Sequence, residues 1–170
     1  EAVLLAAFAP DAPLRALGLI ELRNERAPLL HRTVHVEDRV IAFLRGEVTL
    51  DHELADFATV MTNAPASEAS HAIARLLGTD GPLVVDGAAR VGKTAAIVAA
   101  AASRGRRTLV ADLARLQGEP EAFLHVLERL RREAMLLDAV FVVRLADVDV
   151  AVPVARRLAE YAQRGIAILS

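Results

Sequence analysis

Residues Gly87-Ala88-Ala89-Arg90-Val91-Gly92-Lys93-Thr94 spell G-x-x-x-x-G-K-[ST] at every fixed position. Two glycines let a backbone turn tightly enough for successive N–H groups to converge on one anion. A helix opening at the second glycine adds the positive end of its dipole. Lys93 puts an ammonium on a flexible stem within reach of β- and γ-phosphates, and Thr94 offers a hydroxyl to Mg²⁺. The chemistry of this pattern is polyphosphate binding, with the run Gly87 to Ala95 as the expected contact set. Lys93 is also the only lysine among 20 Lys and Arg residues. A chain that otherwise uses arginine keeps a compact point charge where a phosphate would sit.

Breaking a phosphate bond asks for more. P-loop enzymes place an Asp at the end of a second buried strand, where it holds Mg²⁺. The corresponding strand here, Ala139 to Val143, runs into Arg144. An arginine there either pairs with phosphate without metal or points away into a salt bridge. Asp147 and Asp149 follow closely; Asp147 is the candidate metal carboxylate, and otherwise both cap a helix beginning near Val152. Asp86 and Asp112 end strands, a place where carboxylates commonly cap the next helix or hold a turn. Lys93 and Asp147 are the candidates for catalytic work.

These residues need a scaffold, and the pattern around them supplies one. From Gly81 onward short apolar runs alternate with amphipathic ones: "PLVVDG" as strand, "GKTAAIVAAAASR" as helix, "RTLVADL" as strand. "EPEAFLHVLERLRREAMLLD" then reads as a long helix, "AVFVVRLA" as strand, "VPVARRLAEYAQR" as helix and "GIAILS" as strand. All-apolar strands between helices predict a parallel sheet covered on both faces. "SEASHAIARLLG" precedes it as a helix, with Ser67 or Ser70 as N-cap and Gly78 as stop. "TNAPASEAS", residues 62–70, breaks both periodicities and reads as a linker.

Upstream, "AVLLAAF" is a helical end and Pro13 suits the first turn of "LRALG". "LIELRNERAPLLHRTVHV" reads as two extended runs around the polar turn "RNER", with Ile20, Leu22, Leu30, Val34 and Val36 as the apolar positions. "EDRVIAFLRG" sets Val40, Ile41, Phe43 and Leu44 on a helical face with Gly46 as a stop, and "TLDHELADFATVM" offers another helix. The resulting domain assignment is a winged-helix-like α+β module over 1–63 and an α/β P-loop unit over 64–170. Residues 1–63 hold six arginines against ten acids, a net of −4. A DNA reader needs a positive face, so this balance argues against nucleic acid as partner.

The whole chain has 170 residues, a formal charge of −2 and no cysteine. That excludes disulfides and thiolate metal sites and is consistent with a cytoplasmic setting. No apolar run approaches the roughly 20 residues that span a bilayer, and no signal peptide opens the chain. The first residue, Glu1, and the strand-like last ones lead us to expect a piece of a longer protein.

Together, "DGAARVGKT", "LVADLARL", "LRREAMLLDAVFVVRLADVD" and "GIAILS" resemble the large ATPase subdomain of AAA-type proteins. "APLRALGLIEL" and "RTVHVEDRVIAFLRG" are similar to the region before that core in bacterial AAA proteins encoded with phage-tail-like contractile injection systems. The resemblance implies ATP and Mg²⁺ as cofactors, ATP hydrolysis, a homo-oligomeric ring when full-length, and remodelling or assembly of a protein partner. It places Gly87, Gly92, Lys93 and Thr94 on phosphate and metal, and Ser170 near the position where a polar side chain faces the γ-phosphate. Three features depart from it. Arg144 stands in the metal-binding Asp position, "ARLQGEP" lacks the aromatic residue of threading rings, and the chain stops before the fifth strand, arginine finger and helical lid. Arg156 and Arg157 come too early for that finger and read as a solvated face. Two other classes stand beside the ATPase: a nucleotide-gated protein-binding module impaired in hydrolysis, and a DNA-binding regulator.

Overall fold

The computed structural model describes residues 5–24, 26–77, 83–88, 90–113, 120–144, 156, 158, 160 and 166–169. By packing, the chain divides into two units, Glu1–Thr49 and Leu50–Ser170.

In the first unit, α1 (Pro13–Ala16) opens on its proline, which suits a first turn because the missing N–H would have had no helical partner. β1 (Ile20–Arg23) pairs antiparallel with β2 (Thr33–Val36), from Ile20 opposite Val36 to Arg23 opposite Thr33. Their connection is longer than the polar turn expected from the sequence. Asn24 turns the chain at φ +63° and Leu29–His31 form a 3₁₀ turn. Leu30 therefore lies outside the strand and is 70% exposed. α2 (Asp38–Leu44) carries Asp38 in its first turn, where the helix dipole favours an acid. Gly46 follows at φ +90°, as a helix stop requires. Of the expected apolar face Val40 is buried, whereas Ile41 and Leu44 are exposed. The Arg39 guanidinium lies 6.0 Å from the Phe43 ring centroid.

The second unit is built on a five-stranded sheet in the order β3-β5-β6-β7-β4. Its strands are β3 (Ala58–Met61), β4 (Leu83–Val85), β5 (Arg107–Asp112), β6 (Ala139–Arg144) and β7 (Ile166–Leu169). The pairs β5–β6, β6–β7 and β7–β4 are parallel, and β3–β5 is antiparallel. The sheet is thus mixed, not wholly parallel as the strand–helix alternation suggests. The extra strand comes from the segment read as a helix over "TLDHELADFATVM". There, His52–Leu54 make only a 3₁₀ turn, held by the Asp51 carboxylate accepting from the Glu53 N–H at 3.1 Å. Beyond it, β-branched Thr59 and Val60 suit a pleated strand better than a helix, and β5 supplies their backbone partners. Residues 58–61, assigned from sequence to the first module, therefore pair into this sheet.

Each face of the sheet is covered. Leu109, Ala111, Phe141 and Val143 pack with Leu127, Leu130 and Ala134 of α5 (Pro120–Leu136). Val110, Val140 and Val142 pack on the opposite face with Ile73 of α3 (Glu68–Leu76) and Ile97 and Ala100 of α4 (Lys93–Ala102). The alternation along β5 and β6 is the period-2 pattern of a strand buried on both sides. α3 begins with a reciprocal cap: Ser67 Oγ accepts from the Ser70 N–H at 3.1 Å and Ser70 Oγ from the Ser67 N–H at 2.9 Å. A buried ionic cluster ties the 3₁₀ turn to α5. Arg132 Nη2 and Arg129 Nη1 donate to Asp51 Oδ2 at 2.9 and 3.2 Å, and Arg129 also meets Glu53 at 2.7 Å. Among the described residues no helix is long and apolar enough to cross a membrane.

Candidate functional site

The loop between β4 and α4 follows directly from its glycines. β4 is a three-residue apolar strand, and the chain leaves it at Asp86. The Asp86 carboxylate accepts from the Gly87 N–H at 2.7 Å, so this acid holds the turn, one of the roles expected of it. Gly87 has φ +146° and Gly92 φ +91°, values that L side chains rarely adopt. A Cβ at either would meet no atom within 4 Å, so backbone conformation, not crowding, calls for glycine. Arg90 takes φ +64° as well, an uncommon choice for a residue with a Cβ. Three positive-φ residues thus bend the strand exit into the start of α4.

α4 opens at Lys93 with Gly92 as N-cap and no side-chain cap. This differs from the reciprocal serine cap of α3. The first-turn amides of a helix have no intrahelical acceptor, and Gly92 has no side chain with which to cap them. Lys93 Nζ donates back to the Gly87 carbonyl, which brings the ammonium across the loop. Arg90 and Val91 are exposed, and Thr94 and Ala95 are half-buried at the head of an otherwise buried helix. Backbone amides, a helix dipole and an ammonium at one bend make an arrangement suited to an anion.

The parallel register fixes what else shares this end of the sheet. Val85 lies beside Leu169, Leu169 beside Arg144, and Arg144 beside Asp112. The loop therefore leaves the same carboxyl edge on which β6 ends in Arg144. Arg144 Nη1 stands 3.6 Å from Asp112 Oδ2 in a pair open to solvent, the salt-bridge alternative expected for it. Sequence reasoning gave Asp112 only a turn or capping role. Both residues end strands, and the parallel pairing of β5 with β6 sets them side by side.

The donor set fits phosphate better than metal. Of the described acids on this edge, Asp86 holds the Gly87 amide and Asp112 faces Arg144. Among the described residues no group of three His, Cys, Asp or Glu side chains stands ready to hold a metal ion. Thr94 keeps the hydroxyl that the resemblance assigns to Mg²⁺. Ala89, Asp147, Asp149, Arg157 and Ser170 lie outside the described residues; Arg156 is helical and exposed.

Residues 4–58 match the family described as "Winged helix domain, variant". The match takes in nearly all of the first unit and ends at the first residue of β3. No match was found among curated proteins or among solved structures.

Proposed function

We propose that the unit formed by residues 50–170 binds a nucleoside triphosphate through the loop 87–94 and belongs to an AAA-type ATPase that remodels or assembles a protein partner. The observation that carries this reading is the opening of α4: a glycine cap without a side-chain acceptor, with Lys93 crossing to the Gly87 carbonyl. The loop's place supports it too. It sits at the carboxyl ends of parallel strands, and β7 lies between β4 and β6 although β5 and β6 precede it in sequence. Ligands of open α/β sheets bind in crevices at such ends, where the strand order switches. In this reading the amides of Gly87 to Ala95 and the Lys93 ammonium bind and orient the polyphosphate and offset its charge. Mg²⁺, if recruited, would have the Thr94 hydroxyl as its assigned side chain among the described residues. The wider reading, an oligomeric ring acting on a protein partner, rests on the resemblance, and a cytoplasmic setting on the lack of cysteine.

Arg144 favours a second form of the same proposal, a nucleotide-gated protein-binding module with little hydrolysis, because a cation occupies the strand end where hydrolases hold their metal carboxylate. DNA binding by the winged-helix module is the weaker rival, since residues 1–63 carry a net −4.

Titration of the chain with ATP tests the core of the proposal. Lys93→Ala weakens affinity at least roughly tenfold, about 1.4 kcal/mol. Equal affinity in the variant discards the phosphate-binding loop. Phosphate release by the full-length protein then separates hydrolase from nucleotide-gated module.

A further inference from the structure

The cation at the end of β6 has a use beyond a surface ion pair. We infer that Arg144 is a direct phosphate ligand, so that the loop holds a nucleoside triphosphate with protein cations and does not depend on a divalent metal. The inference rests on the nucleotide-binding reading of the loop and adds the way in which the charge is balanced.

Position comes first. Val85, Leu169 and Arg144 occupy successive places in one row across the sheet, so the Arg144 backbone lies two strand spacings from the residue before the loop, roughly 10 Å. Two long side chains, Lys93 from the loop and Arg144 from β6, bridge such an interval with a polyphosphate between them. Charge comes second. A triphosphate bound at amides and one ammonium still carries excess negative charge, which Mg²⁺ held by a carboxylate neutralises in P-loop enzymes. Here the carboxylate's place holds the opposite charge, which repels a metal ion and attracts the phosphate. A guanidinium suits this role, since its planar fork takes phosphate oxygens two at a time.

Availability comes third. Among the described residues Arg144 pairs with Asp112, at 3.6 Å, with the guanidinium half-exposed and the carboxylate partly so. Such pairs contribute little, so a phosphate competes successfully for the guanidinium. Asp112 then acts as the competitor that a bound anion displaces.

ATP affinity of the whole chain, measured in EDTA and in excess Mg²⁺, tests this. Wild type binds within about threefold in the two buffers. Arg144→Ala weakens binding in EDTA about tenfold or more, or about 1.4 kcal/mol, while Arg144→Lys recovers part of the loss. Asp112→Asn, which keeps the guanidinium and removes its competitor, tightens binding a few-fold. The double variant D112N/R144A stays weak, which separates a lost ligand from an unmasked Asp112 carboxylate. The inference is overturned if wild type needs Mg²⁺ for binding, if Arg144→Ala binds like wild type in EDTA, or if the double variant returns to wild-type affinity. Mg²⁺ dependence abolished by Asp147→Asn would give the metal a carboxylate and overturn it equally. If wild type binds no ATP in either buffer, the loop reading fails and this inference with it; if Lys93→Ala weakens binding and Arg144→Ala does not, only the inference fails. Circular dichroism confirms that each variant folds.

Discussion

Two aspartate–arginine pairs in the second unit use the same chemistry for different ends. Asp51 and Arg132 meet at 2.9 Å with each side chain 4% exposed. Asp112 and Arg144 stand 3.6 Å apart at 31% and 50% exposure. In the first pair both charges have left water, so the attraction of Asp51 for Arg132, and for Arg129 beside it, works against the cost of desolvation. In the second, water already solvates both groups, so the partner is replaceable. Burial, more than distance, separates an ion pair that pins a turn onto a helix from one whose partner is replaceable.

Asp51→Ala is the most damaging way to probe this contrast. It removes the carboxylate that the Arg132 and Arg129 guanidinia share and also frees the Glu53 amide. Chemical denaturation should show a loss of about 3–5 kcal/mol. Glu53→Ala lies between the extremes, because Glu53 is 53% exposed while Arg129 is 17% exposed. Arg129 keeps Asp51, so the loss should be at most about 1 kcal/mol and should shrink as salt rises. Asp112→Ala should leave the denaturation midpoint almost unchanged, within about 0.5 kcal/mol. A cost for Asp112→Ala that matches Asp51→Ala would end the comparison, and with it the claim that Arg144 is free to change partners.

The glycine loop was readable because its requirements are local. Positive φ at Gly87 and Gly92, a helix starting at Lys93, and the strand before it all lie within one short stretch. The Ser67 cap was readable for the same reason. β3 was not. Leu50, Leu54 and Phe57 repeat at a helical interval, yet the edge of β5, some fifty residues away, decides the conformation of Ala58–Met61. Arg144 was recognised as anomalous from sequence, but its partner was not, since neither spacing nor composition says which strand lies beside β6.

Local stereochemistry and hydrophobic periodicity thus specified the alternating strands and helices, the glycine-turned bend and the lysine at the helix start within it. Tertiary structure decided the strand order, the antiparallel edge and which charges meet: Asp51 with Arg132, 81 positions apart, and Asp112 with Arg144 across one parallel ladder. A periodic pattern records which face of an element is apolar, whereas the neighbour of that element is chosen by the packing of the whole sheet, which no short interval of sequence contains.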